Sequence, residues 1–253
     1  MVNKWITTGA TLLALSIASV ASAEWQPDRP INIIVPWSAG GSTDQVTRVV
    51  APILAKALGT AIVIVNQPGA SGSIGTKAAL DAPRDGYTWT ANAIANNATY
   101  SITGLIDDTS IEDYEIFLHV ANVPVVSVNA DSKYQTFDQL LTAMKTSKVT
   151  VGTAGVNSSG GMALAAIKEA SGGELMARMI AYDGGNPAVV AASTGEVEAT
   201  TQLAVEQTEM IKAGRLRALA VLSDAPLLVT GIDPVPPITD FLPNMEISAD
   251  YFG

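Results

Sequence analysis

The stretch from Ile31 to Leu58 passes from a five-residue apolar run, INIIV, through the loop PWSAGG into a segment with apolar residues at Val46, Val49, Val50, Ile53, Leu54, Ala57 and Leu58. The run suits a fully buried strand, and steps of three and four suit a helix. Strand, small-residue loop, helix is the repeating unit of an α/β protein with a largely parallel sheet. The unit recurs, because VTVGTA leads through GVNSSGG into MALAAIKEAS, closed by Gly172 and Gly173. Gly59 ends the first helix, and Pro52 inside it should kink it or remove one of its hydrogen bonds.

The other segments follow the same grammar. AIVIVN reads as a strand, QPG as a turn, SIGTKAALDA as a short helix and YTWTANAI as a further strand. VPVVSVNA is a strand, and Thr136 with Gln139 predicts a capping box for the helix FDQLLTAMK. After the strand ARMIAY, Asn186 as N-cap and Pro187 at the first helical position should open AVVAASTG. VEATTQLAV reads as a strand, a helix through Ile211 ends at Gly214, and RLRALAVLS is the last strand. No short fixed period repeats, which excludes solenoids and propellers.

The first 23 residues have one lysine near the start, an apolar middle and the ending Ala21-Ser22-Ala23, the pattern of a signal peptide cleaved after Ala23. A retained anchor would need about 20 consecutive apolar residues, which the Thr and Ser residues here interrupt. The expected product is an exported, soluble chain, and a Gram-negative periplasm fits it. Without any cysteine the chain neither uses nor risks disulfides there. A net charge of −10 leaves no basic footprint for nucleic acid.

In SAGGSTD the glycines let the backbone turn tightly, and the helix that follows points its unpaired amides at the same spot. That is an anion cradle, to which Ser38, Ser42 and Thr43 add hydroxyls. GTAGVNSSGG, Gly152 to Gly161, has the same construction, so two cradles in two domains could grip one anion. Asp44 would repel a ligand carboxylate if it faced the pocket, and is expected to brace the loop instead. No phosphate-loop pattern occurs, and GASGSIG does not match the dinucleotide fingerprint.

An enzyme reading finds little support. A serine hydrolase needs a base, and His119 is the only histidine, set in the apolar run EIFLHVANVP where a structural role is expected. No G-x-S-x-G elbow is present. Glu196 and Glu198 on alternate positions read as a solvated strand edge, and no ligand cluster supports a metal or other cofactor.

At DRPINIIVPWSAGGSTDQVTRVVAPILAKALGTAIVIVNQPGASGSIGTKAALDAPRDGYT, VPVVSVNADSKYQTFDQL, AYDGGNPAVVAASTGEVEA and MIKAGRLRALAV, the chain closely resembles the Bug, or TctC-like, extracytoplasmic solute receptors of tripartite tricarboxylate transporters. The resemblance implies a two-lobed α/β periplasmic binding protein fold, type II-like, with crossover hinge strands. It divides the chain into a signal peptide (1–23), lobe 1 (24–124), lobe 2 (125–220) and a return to lobe 1 (221–253). It further implies a monomer that closes on a small organic carboxylate and serves the membrane subunits of such a transporter. A ligand sensor feeding a signalling partner would share the same site.

Carried over by position, Trp37, Ser38, Ala39, Gly40, Gly41 and Ser42 of lobe 1 and Thr153, Ala154, Gly155 and Ser158 of lobe 2 should hold the ligand, with Tyr182 and Asp183 near the cleft mouth. The chain departs from the family pattern at Trp37, at Asp183 and at Thr201-Gln202, positions expected to bear on specificity, and Trp37 favours a flat or aromatic acid. The family also continues through a further helical segment beyond the point where ISADYFG ends, so the C-terminal part is expected to be missing and lobe 1 to expose an apolar patch.

Overall fold

The computed structural model describes residues 25–117 and 122–246. The expected signal peptide, the histidine at 119 and the final ISADYFG lie outside the described residues.

The first lobe is built on β1 (Ile31–Val35), α1 (Ser42–Leu58), β2 (Ile62–Asn66), α2 (Ser73–Leu80), β3 (Thr88–Thr90) and α3 (Ile94–Thr99). Its sheet has the order β2-β1-β3 with both pairings parallel. The crossover from β1 to β2 moves one way along the sheet and the crossover from β2 to β3 moves back past β1, so right-handed connections put α1 and α2 on opposite faces. Only Asn32 of β1 is exposed, as a central strand covered on both faces requires. α1 runs unbroken across Pro52 and ends at Gly59 in the left-handed conformation (φ 67°), so the proline removes one hydrogen bond without dividing the helix.

The second lobe contains β4 (Val125–Asn129), α4 (Phe137–Thr146), β5 (Val149–Thr153), α5 (Ser159–Ala170), β6 (Ala177–Ala181), α6 (Gly185–Thr194), β7 (Ala199–Thr200), α7 (Ala204–Lys212) and β8 (Leu216–Val221). Its sheet has the order β6-β5-β7-β4-β8. The β5 pairings are parallel, while β4 runs antiparallel to both β7 and β8, so this sheet is mixed. On one face Phe137, Leu140 and Met144 of α4 and Leu164 and Ile167 of α5 pack against Val126, Val128, Val149 and Val151. On the other, Val189 and Ala192 of α6 join Val197 and Leu216, with Met210 and Ile211 of α7 packed beside them. Each fully buried large side chain of this kind contributes about 1.5–3 kcal/mol.

Several expected elements are corrected. YTWTANAI is a strand only over Thr88–Thr90. Its partner β1 ends at Val35, and the Asn92 side chain then accepts from the Ala93 amide (2.9 Å), turning the chain into α3. VEATTQLAV keeps only β7 as strand, because Thr201 leaves the sheet to bond the Gly160 carbonyl (2.7 Å). α6 starts at Gly185 with Gly184 as cap, so Asn186 and Pro187 are its second and third residues. Proline is tolerated there because first-turn amides have no intrahelical acceptor. Thr136 does cap α4 (3.3 Å), but the Gln139 side chain accepts from Gln135 instead (2.7 Å), leaving half a capping box.

The described residues beyond Val221 do not return to the first lobe. Leu222, Ile238, Leu242 and Met245 are buried in the same core as α4 and α5 of the second lobe, and Val221 bridges to Pro237. Apolar side chains meanwhile stand exposed on the first lobe: Val49 (71%) and Ile53 (66%) on α1, and Val63 and Val65 on β2.

Candidate binding cleft

β1 delivers the chain to the cleft at Pro36. Trp37 is buried, its indole donating to Asn92 Oδ1 (3.0 Å). The loop then reaches the facing lobe, where the Ser38 amide donates to the Asp183 carbonyl (3.1 Å). Asp44 braces the loop from inside α1, accepting from the Gly40 amide (2.8 Å), Arg48 Nε (2.9 Å) and Asn66 Nδ2 (2.9 Å). Burial pushes its carboxyl up, but these donors outweigh burial and hold it below the usual carboxylate range.

The facing loop is tied internally. Thr153 is wholly buried and its hydroxyl accepts from the Gly155 amide (3.1 Å). Ser158 caps α5, accepting from the Gly161 amide (3.0 Å) while donating to the Gly155 carbonyl (2.7 Å). Gly155 sits at φ 106° with its α-carbon against Ser71 of the first lobe, where neither the conformation nor the space admits a side chain. Asn96 Nδ2 donates to the Asn157 carbonyl, and Asn157 Nδ2 to Thr103 Oγ1 (2.7 Å), so the lobes touch along the cleft.

Between them lies a small cavity of about 30 Å³. Trp37, Ser42, Thr43, Ala93 and Asn96 line it from one side, and Ala154, Ser158, Ser159, Gly185, Gln202, Leu203 and Glu206 from the other. No lysine or arginine is among these lining residues. The N-termini of α1 and α5 both open on this space, through Ser42-Thr43 and Ser158-Ser159, and aim the positive ends of their dipoles at it.

Of the twelve residues expected from sequence, Trp37, Ser42, Ala154 and Ser158 line the cavity. Ser38 and Asp183 join the lobes, Gly40 and Gly41 form the turn beneath α1, and Ala39 is exposed. Thr153 and Gly155 brace the second loop. Tyr182 turns away, its hydroxyl bonded to Glu196 Oε1 (2.7 Å); burial and that carboxylate push the phenol up to about 12.

Glu206 was not among the residues expected from sequence. This residue of α7 is partly buried and lines the cavity, and it accepts from the Ser42 amide across the cleft (2.8 Å) and from the Leu203 amide (3.3 Å). With its amide oriented to satisfy both ends, Gln202 accepts from the Ala154 amide (2.8 Å) and donates to the second Glu206 oxygen (3.2 Å). Burial pushes the Glu206 carboxyl up to about 7, against the opposing pull of the Ser42 and Leu203 amides. Gly185 lies so close to this carboxylate that a β-carbon there would collide with it. Two buried polar atoms near the cleft have no partner: Ser38 Oγ and Asn96 Oδ1.

Comparison with known proteins places these features in a family. The profile described as "Tripartite tricarboxylate transporter family receptor" matches residues 46–230, a span that begins just after the first cradle. Protein BugT of Bordetella pertussis is 36% identical over 220 residues, covering 85% of this chain and 67% of BugT. The periplasmic binding protein BugD superposes with a TM-score of 0.74 at 27% identity, covering 85% of this chain and 72% of BugD. A protein of R. palustris solved with adipate gives a TM-score of 0.74 at 26% identity, covering 88% of this chain and 75% of its own.

Proposed function

The chain belongs to the tripartite tricarboxylate transporter receptor family, and from that premise we propose that it captures a small organic carboxylate between its lobes for uptake and carries out no chemistry on it. The observation that supports this is the pair of helix N-termini, α1 and α5, opening on one interlobe cavity lined by hydroxyls and amides. A carboxylate there would be held by the donors left at the start of α5, at Ser159, and by the hydroxyls of Ser42 and Thr43, with Trp37 as an apolar wall. Ser38, Ala39, Gly40, Gly41, Thr153, Ala154 and Gly155 would shape the two cradles, and Asp183 would tie the lobes together at Ser38. Adipate in the R. palustris neighbour is an organic acid of this class.

In the same reading the protein is a periplasmic monomer released by cleavage after Ala23, and it hands its ligand to transporter membrane subunits. Charge-assisted hydrogen bonds contribute about 1.5–3 kcal/mol each, so four or five suffice for micromolar capture, about 8 kcal/mol, after ordering costs. Calorimetry against a panel of carboxylic acids and their neutral amides tests the proposal. Saturable binding of acids with no binding of the amides is expected; equal binding of both kinds would overturn it.

A further inference from the structure

Glu206 brings a carboxylate to the place where the sequence leads one to expect the ligand's own. Its two oxygens take the Ser42 amide at the start of α1 and the Leu203 amide, with Gln202 Nε2 as a third donor. The first lobe's helix terminus is therefore already neutralised from within the protein, whereas the start of α5 at Ser158-Ser159 has no internal carboxylate. Asn96, wholly buried, lines the same cavity beside the start of α5, where its Nδ2 donates to the Asn157 carbonyl and its Oδ1 has no donor. The end of the cavity at the start of α1 thus holds a carboxylate of the protein's own, and the end at the start of α5 holds none.

Among the described residues no lysine or arginine pairs with Glu206. Arg48 and Asp44 on α1 are bonded to each other (2.9 Å), Lys212 and Glu209 on α7 likewise (3.0 Å), and Asp183 ahead of α6 is acidic. A second ligand carboxylate at this end would meet a like charge whenever Glu206 is ionised. An ammonium group would meet that carboxylate as an opposite charge and an acceptor.

Resting on the carboxylate reading above, we infer that Glu206 determines specificity: the cleft takes an amino-bearing monocarboxylate, its carboxylate at the start of α5 and its ammonium at Glu206, in preference to a dicarboxylate. The selection weakens when Glu206 is neutral, and burial places that change near pH 7.

Calorimetry with pairs sharing one spacer, β-alanine against succinate and γ-aminobutyrate against glutarate, tests the inference directly on the wild-type protein. At pH about 8.5 each amino acid should bind at least about tenfold more tightly than its dicarboxylate, and at pH about 6 the gap should narrow. Glu206→Gln, checked for native unfolding, should narrow it at both pH values. Tighter dicarboxylate binding by the wild type at pH about 8.5 overturns the inference while leaving the carboxylate reading intact. An unchanged preference in a folded Glu206→Gln protein also overturns it. Failure of every acid, including those in the wider carboxylate panel, overturns the carboxylate reading and the inference with it.

Discussion

Glu206 Oε1 accepts the Ser42 amide at 2.8 Å, a bond between residues 164 positions apart that crosses from the second lobe to the first. Burial pushes the carboxyl up from 4.5 to about 7. Its proton is held more tightly folded than unfolded, so its favourable contribution is complete below about pH 4.5 and is lost as pH rises through about 7. The shift corresponds to at most about 3 kcal/mol. Urea titrations at pH about 5 and about 8 should show the wild type losing stability with rising pH, and Glu206→Gln losing less.

Asp44 is almost wholly buried and takes three donors, Gly40, Arg48 and Asn66. Asp44→Ala leaves the Gly40 amide and the Asn66 side chain without this acceptor, while the half-exposed Arg48 finds water. The expected cost is about 2 kcal/mol. Asp44 has a lowered pKa, so its contribution is present above the unfolded value of 3.8 and lost as pH falls below it. Urea midpoints of the two proteins at neutral pH should differ clearly and should converge in acid.

Period and punctuation made most of the architecture readable. INIIV, AIVIVN and VTVGTA announced strands, Gly59 and Gly172 announced helix ends, and the two glycine-serine loops stand where α1 and α5 open on the cleft. Glu206 was not readable, because an acidic residue in a helix's first turn is expected whatever it touches. Only the docking of two lobes turns that side chain into a partner of Ser42. Asn96 follows YTWTANAI, whose β-like composition hid the start of the helix, Ile94–Thr99, that carries it. The Pro-rich tail hid a pattern too: Ile238, Leu242 and Met245 are spaced by four and three and share one buried face on the second lobe.

Gly185 has no room for a β-carbon beside the Glu206 carboxylate. Gly185→Ala should push that carboxylate off the Ser42 amide at a cost of about 1–3 kcal/mol and open the cleft. Small-angle scattering should report a larger radius of gyration for Gly185→Ala than for the wild type, both without ligand. Adding Glu206→Ala removes the colliding atoms, so the double variant should regain compactness. A steric cause makes this rescue obligatory, whereas a backbone cause at Gly185 leaves the double variant as open as the single one.

Val49 and Ile53 project from α1 at 71% and 66% exposure, one helical turn apart. Because they bury little, Val49→Gln with Ile53→Gln should change the folded protein's stability by no more than about 0.5 kcal/mol per site, in either direction. The same change removes the middle of an exposed apolar strip, and strips of that kind drive association and bind apolar dyes. The double variant should therefore show an unchanged urea midpoint together with weaker dye binding and less self-association at high concentration. A midpoint lowered by 2 kcal/mol or more, of the order of burying and then losing a large aliphatic group, would mean that these side chains are covered in solution.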